Sequence, residues 1–126
     1  MSNPNSPFDL QQALEYVDGF EDVLSSTAEV FIEEYPQLLD AIRQARSEED
    51  SVGVSRAAHT LKGSTALFAA SAATEAALNI EERGKAGDLS AVDAILPQLQ
   101  HELRLLAEAL AEFIKQAGAS DSQTQP

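Results

Sequence analysis

Residues 8–116 contain very few of the amino acids that interrupt helices. Gly and Pro are sparse there, and the helix-favouring residues Ala, Leu, Glu and Gln are abundant. No run of about four to eight residues alternates between apolar and polar side chains as a half-buried strand does. The pattern therefore predicts an all-α protein.

The spacing of apolar residues divides this segment into five predicted helices. Their ranges are about 8–16, 20–46, 52–70, 71–85 and, starting at either 88 or 90, on to 116. In the second helix the apolar residues recur every three or four positions, as one face of a helix requires. They are Leu24, Ala28, Phe31, Tyr35, Leu38 and Ile42. Long amphipathic helices with short connections predict an antiparallel four-helix bundle with a short additional N-terminal helix.

Prolines, glycines and short polar residues refine these boundaries. Pro36 should kink the second helix, whereas Pro97 either kinks the last helix or begins a new one. Asp50 or Ser51 can cap the third helix, and Gly84 with Gly87 should end the fourth. Residues 1–7 and 117–126 are small and polar, so we expect a flexible leader and a disordered tail around a single domain at 8–116.

Composition excludes several classes of function. The 126 residues include 8 Lys and Arg against 21 Asp and Glu, a net charge of −13 that disfavours nucleic acid and anionic membranes. The sequence has no cysteine, which removes disulfides, thiolate catalysis and Cys-ligated zinc. No apolar run approaches the roughly 20 residues of a membrane span, and the N-terminus lacks the features of a signal peptide. We therefore expect a cytoplasmic protein.

The third helix carries one histidine on its polar face. With about 100° per residue, His59 lies roughly 160° from Leu61, which marks the core direction. Val54 and Phe68 fall on the core side with Leu61. His59 is therefore predicted to face solvent.

The surroundings of His59 are unusual for an exposed helix face. Gly63, one turn further on, costs roughly 1 kcal/mol relative to Ala and has no packing role at a solvent-facing position. With Ala66 and Ala70 it forms a strip of minimal side chains that leaves the imidazole open to a large partner. Arg56 and Lys62 flank the ring at positions −3 and +3, which suggests a local anion site.

These features fit phosphoryl transfer to histidine. A neutral imidazole is a good nucleophile near pH 7, because the unperturbed group titrates at about 6.5. The sequence has no glycine-rich phosphate loop, so a metal and its carboxylates would have to come from a partner. A carboxylate-bridged metal centre would need Glu-x-x-His pairs, but Arg56 and Gln98 precede His59 and His101 at that spacing. We expect no metal site and no functional role for His101.

The segment 58–64, AHTLKGS, resembles the signature of histidine phosphotransfer (HPt) domains of bacterial phosphorelays. Residues 31–39, FIEEYPQLL, are similar to the second helix of that family, and weaker similarity extends over about 8–116. A departure is Ala69, where many members carry Gly. Since Ala suits a helix better than Gly, this departure is expected to matter little.

The resemblance implies specific roles. His59 would accept the phosphoryl group, Lys62 would be the cation beside it, and Gly63 would give clearance for the partner. Separately from the resemblance, we predict from their positions around His59 that Arg56, Ser64, Ala66 and Ala70 contribute to binding.

The resemblance also implies partners. These would be response-regulator receiver domains, which bring an aspartyl phosphate and Mg²⁺, and a hybrid sensor kinase. From the sequence itself, which has no nucleotide motif, we expect no ATP-dependent kinase activity. We also expect the chain to bind no cofactor and to be a monomer. The alternative is a passive helical adaptor without phosphoryl chemistry, which would be indifferent to His59.

Overall fold

The computed structural model describes the backbone of residues 6–124, and five helices account for most of it. They are α1 (Leu10–Tyr16), α2 (Glu21–Ser47), α3 (Ser51–Ala66), α4 (Ser71–Lys85) and α5 (Leu89–Thr124). Helix α3 packs against α2 and α4, and α5 packs against the same two helices, so α2–α5 form a closed ring. The short α1 lies against α2. The predicted four-helix bundle with an additional N-terminal helix is confirmed.

The core lies inside this ring, and the predicted apolar faces of α2 and α3 both contribute to it. In α2 the residues Leu24, Phe31 and Ile42 are buried, whereas Tyr35 is only partly buried at the margin of the core. The Phe31 ring stacks on Tyr35 at 5.3 Å and meets the edge of Phe68 at 5.5 Å. These aromatic contacts fix α2 against the turn that follows α3.

Several helix boundaries agree with those predicted from the sequence, and the structure decides between the two alternatives for Pro97. Asp50 caps α3, because its carboxylate accepts a hydrogen bond from the Gly53 amide at 2.9 Å. Pro36 and Pro97 both lie inside continuous helices, so Pro97 does not begin a new helix. No helix in the described range is long and apolar enough to cross a membrane.

The end of α3 differs from the prediction. The helix stops at Ala66 rather than near Ala70, because Ala69 adopts a left-handed conformation with φ +51°. The Ala70 amide then donates to the Thr65 carbonyl at 3.2 Å, the backbone pattern that closes many helices around a glycine. The expectation that Ala69 suits its position is therefore wrong, since this conformation favours Gly over Ala.

The end of α4 also differs in one respect. Gly84 lies inside the helix and is buried against α3, so it does not terminate α4. Gly87, with φ +73°, makes the turn into α5. Of the two glycines, only Gly87 ends α4 as predicted.

Parts of both predicted terminal segments lie within the described residues. Helix α5 continues to Thr124, eight residues beyond the predicted end at 116, because no proline or left-handed residue interrupts it there. Residues 117–124 of the predicted tail at 117–126 thus belong to this helix, and its last two residues lie outside the described range. The disorder of that tail stays a prediction. Residues 1–5 of the predicted leader also lie outside the described range.

Candidate functional site

His59 lies on the exposed face of α3, as predicted. Its side chain is 66% exposed, whereas Val54, Leu61 and Thr65 of the same helix are fully buried. The amphipathic pattern of α3 therefore fixes the direction of the imidazole, because the opposite face is committed to the core.

One nitrogen of the imidazole is held by a buried carboxylate from the neighbouring helix. His59 Nδ1 lies 2.9 Å from Glu81 Oε2, and the Glu81 side chain is only 4% exposed. Glu81 occupies a position of α4 that faces α3, one turn after the buried Ala77. The contact between α3 and α4 thus joins an exposed histidine to an internal acid.

Two lysines neutralise this buried carboxylate. Lys62 Nζ lies 2.7 Å from Glu81 Oε1, and Lys85 Nζ lies 3.3 Å from Oε2. The Lys62 contact is an ion pair at short range, since Oε1 receives no well-directed hydrogen bond. The Lys62 ammonium is the main cause that lowers the pKa of Glu81 from 4.5 to about 2, with smaller contributions from His59 and Lys85 and against the effect of burial. Glu81 is therefore ionised at neutral pH.

The ionised carboxylate decides which imidazole nitrogen carries the proton. A carboxylate can only accept hydrogen bonds, so Nδ1 of His59 must be the donor in this contact. In the neutral imidazole the lone pair then lies on Nε2. The arrangement presents Nε2 as a nucleophile on an exposed face.

The surface beyond the ring is open where the sequence predicts it to be, with one correction. A Cβ atom at Gly63 would meet no atom within 4 Å, and Ala66 is exposed. Ser64 is half-buried at the flank of the helix. Ala70 is fully buried and precedes α4, so it does not belong to the exposed strip. The left-handed residue Ala69 is the reason, because it takes the chain out of the α3 periodicity.

A groove of about 630 Å³ borders His59 on the opposite side from Gly63. Arg56 and Ser55 line it from α3, and Gly84 and Lys85 line it from α4. Arg56 is thus beside the histidine, as predicted, and is exposed. His101 is exposed on α5 and does not line this groove.

Sequence reasoning assigned no site role to Glu81 and Lys85. A signal for Glu81 was present, because it continues a stripe of small residues at helical spacing with Ala73, Ala77 and Gly84. An acidic residue in a buried stripe needs a partner of opposite charge. Within residues 6–118, whose side chains the structure describes, no group of three or more His, Asp or Glu side chains is arranged to hold a metal ion.

The fold and the site together define a helical bundle that presents one histidine on its surface, with a buried carboxylate in contact with the ring. The sequence model of the Hpt domain family matches residues 26–115, and the chain belongs to this family. Comparison with curated proteins gives no match. The fold is similar to the crystal structure of histidine-containing phosphotransfer protein B (HptB) from Pseudomonas aeruginosa. The TM-score is 0.82 at 18% sequence identity, covering 91% of this chain and 98% of that one.

Family membership confirms the resemblance drawn from the segment 58–64. The protein acts in histidine phosphotransfer within two-component signalling. The family match begins at residue 26 and therefore does not include α1. The domain boundaries at 8 and 116 and the roles of individual residues remain predictions.

Proposed function

We propose that the protein carries a phosphoryl group on Nε2 of His59, between receiver domains of response regulators. The observation that supports this most directly is the contact of 2.9 Å between His59 Nδ1 and the ionised Glu81 carboxylate. It makes Nε2 the free nitrogen and leaves it on the exposed side of α3. A passive adaptor would not need this arrangement.

The transfer forms one bond and breaks one. The Nε2 lone pair attacks the phosphorus atom of an aspartyl phosphate, and the bond between phosphorus and the carboxylate oxygen breaks. The electron pair leaves with the aspartate of the receiver domain. No proton has to leave Nε2, since the ring proton is on Nδ1. Reversal of these steps passes the phosphoryl group to the next aspartate.

Glu81 supports this step through charge. The imidazole becomes positive as the bond from Nε2 to phosphorus forms, and the Glu81 carboxylate, 2.9 Å from Nδ1, balances that charge. Because the carboxylate is almost fully buried, water screens the interaction weakly. The same hydrogen bond between Nδ1 and Glu81 also fixes the orientation of the ring.

Lys62 is proposed as the cation beside the phosphoryl group. It follows His59 by three residues, so its ammonium can be shared between Glu81 and a phosphoryl group on Nε2. Gly63 keeps the approach to the ring free, and Arg56, Ser64 and Ala66 border the contact surface. Gly63 and Ala66 are exposed like His59, Arg56 lines the groove beside the ring, and Ser64 is half-buried at the flank of the helix.

The partner domains supply what this chain lacks. We propose that a receiver domain brings the aspartyl phosphate and Mg²⁺, and that a hybrid sensor kinase is the original source of the phosphoryl group. The carrier is proposed to act as a monomer in the cytoplasm. No cofactor is assigned to the chain itself.

A matched pair of histidine variants tests the function. We expect wild-type protein and His101→Gln to take up label from a phosphorylated receiver domain, and His59→Gln to take up none. The label should be acid-labile, as a bond between phosphorus and nitrogen is. All three proteins should have the same helical circular dichroism, because both histidines are exposed.

The same experiment separates phosphotransfer from a passive adaptor. An adaptor would bind a partner without taking up label, and His59→Gln would bind it equally well. Uptake of label by His59→Gln, or its loss in His101→Gln, would contradict the assignment of His59.

A further inference from the structure

Gly84 marks the place where the backbones of α3 and α4 touch. A Cβ atom at Gly84 would lie 3.0 Å from the Ser55 amide nitrogen and 3.2 Å from both the Ser55 Cα and the Ser51 carbonyl oxygen. These are backbone atoms, which cannot rotate away as a side chain can. Any side chain at position 84 must therefore separate the two helices by a few tenths of an ångström.

This contact lies about one helical turn from the reactive histidine. Ser55 precedes His59 by four residues on α3, and Gly84 follows Glu81 by three residues on α4. The spacing of the helices at Gly84 therefore governs their spacing where Nδ1 of His59 meets Oε2 of Glu81. At 2.9 Å, that hydrogen bond has little room to lengthen before it weakens.

We infer that Gly84 is a positioning residue, which holds α3 and α4 close enough for Glu81 to fix the His59 ring. The inference rests on the proposed function, because it concerns the rate at which His59 takes up a phosphoryl group. Gly84 acts through the distance between helices and touches neither the ring nor the phosphoryl group. The helix termination predicted for this glycine is supplied by Gly87 instead.

The test compares Gly84→Ala with Gly118→Ala. Gly118 lies in α5, and a Cβ atom there meets nothing within 4 Å, so both variants gain the same methyl group but only one separates helices. We expect Gly84→Ala to lower the rate of phosphoryl uptake from a phosphorylated receiver domain by roughly 10-fold and Gly118→Ala to leave it unchanged. The ¹⁵N shifts of the His59 ring in Gly84→Ala should also move towards the tautomer protonated on Nε2, which a purely structural role would not cause.

A double-mutant cycle then asks whether the effect passes through Glu81. In a Glu81→Ala background, Gly84→Ala should change the uptake rate by less than about twofold, because the hydrogen bond is already absent. If the wild-type protein takes up label and Gly84→Ala shows the same rate and the same ring shifts, the inference is overturned while the proposed function stays intact. Unfolding of Gly84→Ala would also overturn it, by assigning the glycine to the bundle as a whole. No uptake by wild-type protein would contradict the proposed function itself.

Discussion

Gly63 is the residue at which stability and function are expected to oppose each other. It lies in α3, one turn beyond His59, and a Cβ atom there meets nothing within 4 Å. Gly63→Ala should therefore be neutral or should raise the free energy of unfolding by up to roughly 1 kcal/mol, through helix propensity. Urea unfolding of both proteins measures this difference.

A longer side chain at the same position tests the clearance argument. Gly63→Gln should fold, yet it should take up phosphoryl groups far more slowly than Gly63→Ala, because the chain lies in the path of the partner. Transfer by Gly63→Gln at the wild-type rate would show that the open strip is not needed. Unfolding of Gly63→Ala would show that the position is packed rather than open.

Glu81 should make the stability of the fold depend on pH in the acid range. Its pKa is lowered from 4.5 to about 2 in the folded protein, chiefly by Lys62. A lowered pKa means that the contribution to stability is complete above pH 4.5 and is lost as the pH falls towards 2. The loss amounts to at most about 3 kcal/mol.

Glu81→Gln isolates this contribution. Urea unfolding between pH 6 and 2 should show the free energy of unfolding of wild-type protein falling more steeply than that of the variant. Parallel curves for the two proteins would mean that Glu81 is not held in its ionised form by Lys62 and its other neighbours. The variant should also slow phosphoryl uptake at neutral pH, since it removes the charge opposite Nδ1.

At the scale of elements, the turn between α3 and α4 shows what the sequence could and could not predict. The stripes in α2 and the face of His59 were correctly predicted, because they depend on periodicity within one helix. The end of α3 lies earlier than its apolar pattern predicts, because Ala69 adopts a backbone conformation that its side chain disfavours. The contact between His59 and Glu81 joins residues 22 positions apart, and it depends on a helix spacing that no local pattern reveals.

The strained turn predicts a stabilising substitution. Ala69 has φ +51°, where Gly avoids a cost of about 1–2 kcal/mol. Because Gly also gains entropy in the unfolded chain, Ala69→Gly should raise the free energy of unfolding by only about 0.5–1 kcal/mol. Ala111→Gly is the matched control, since Ala111 is exposed inside α5, and it should instead lower stability by about 1 kcal/mol. Urea unfolding in which both variants lose stability would contradict the strain at Ala69.

In the proposed function, the whole molecule supplies a nucleophile and a docking surface but few of the other parts of a kinase. The sequence has no glycine-rich phosphate loop, and the described residues form no metal-binding cluster. Lys62 and Lys85 both lie against Glu81, so its single carboxylate offsets part of their charge. Transfer from ATP needs cations and a metal positioned across the phosphates, which this arrangement does not provide.

The purified protein should therefore take up no label from γ-labelled ATP and Mg²⁺. The same sample should be labelled when a phosphorylated receiver domain is added, which shows that His59 is competent, and His59→Gln should stay unlabelled in both mixtures. The receiver makes the difference because its aspartyl phosphate arrives with the metal and with the correct orientation towards Nε2. Labelling of His59 by ATP in the absence of any partner would show that the chain contains a catalytic site of its own, and the phosphoryl group would then not have to come from a second protein.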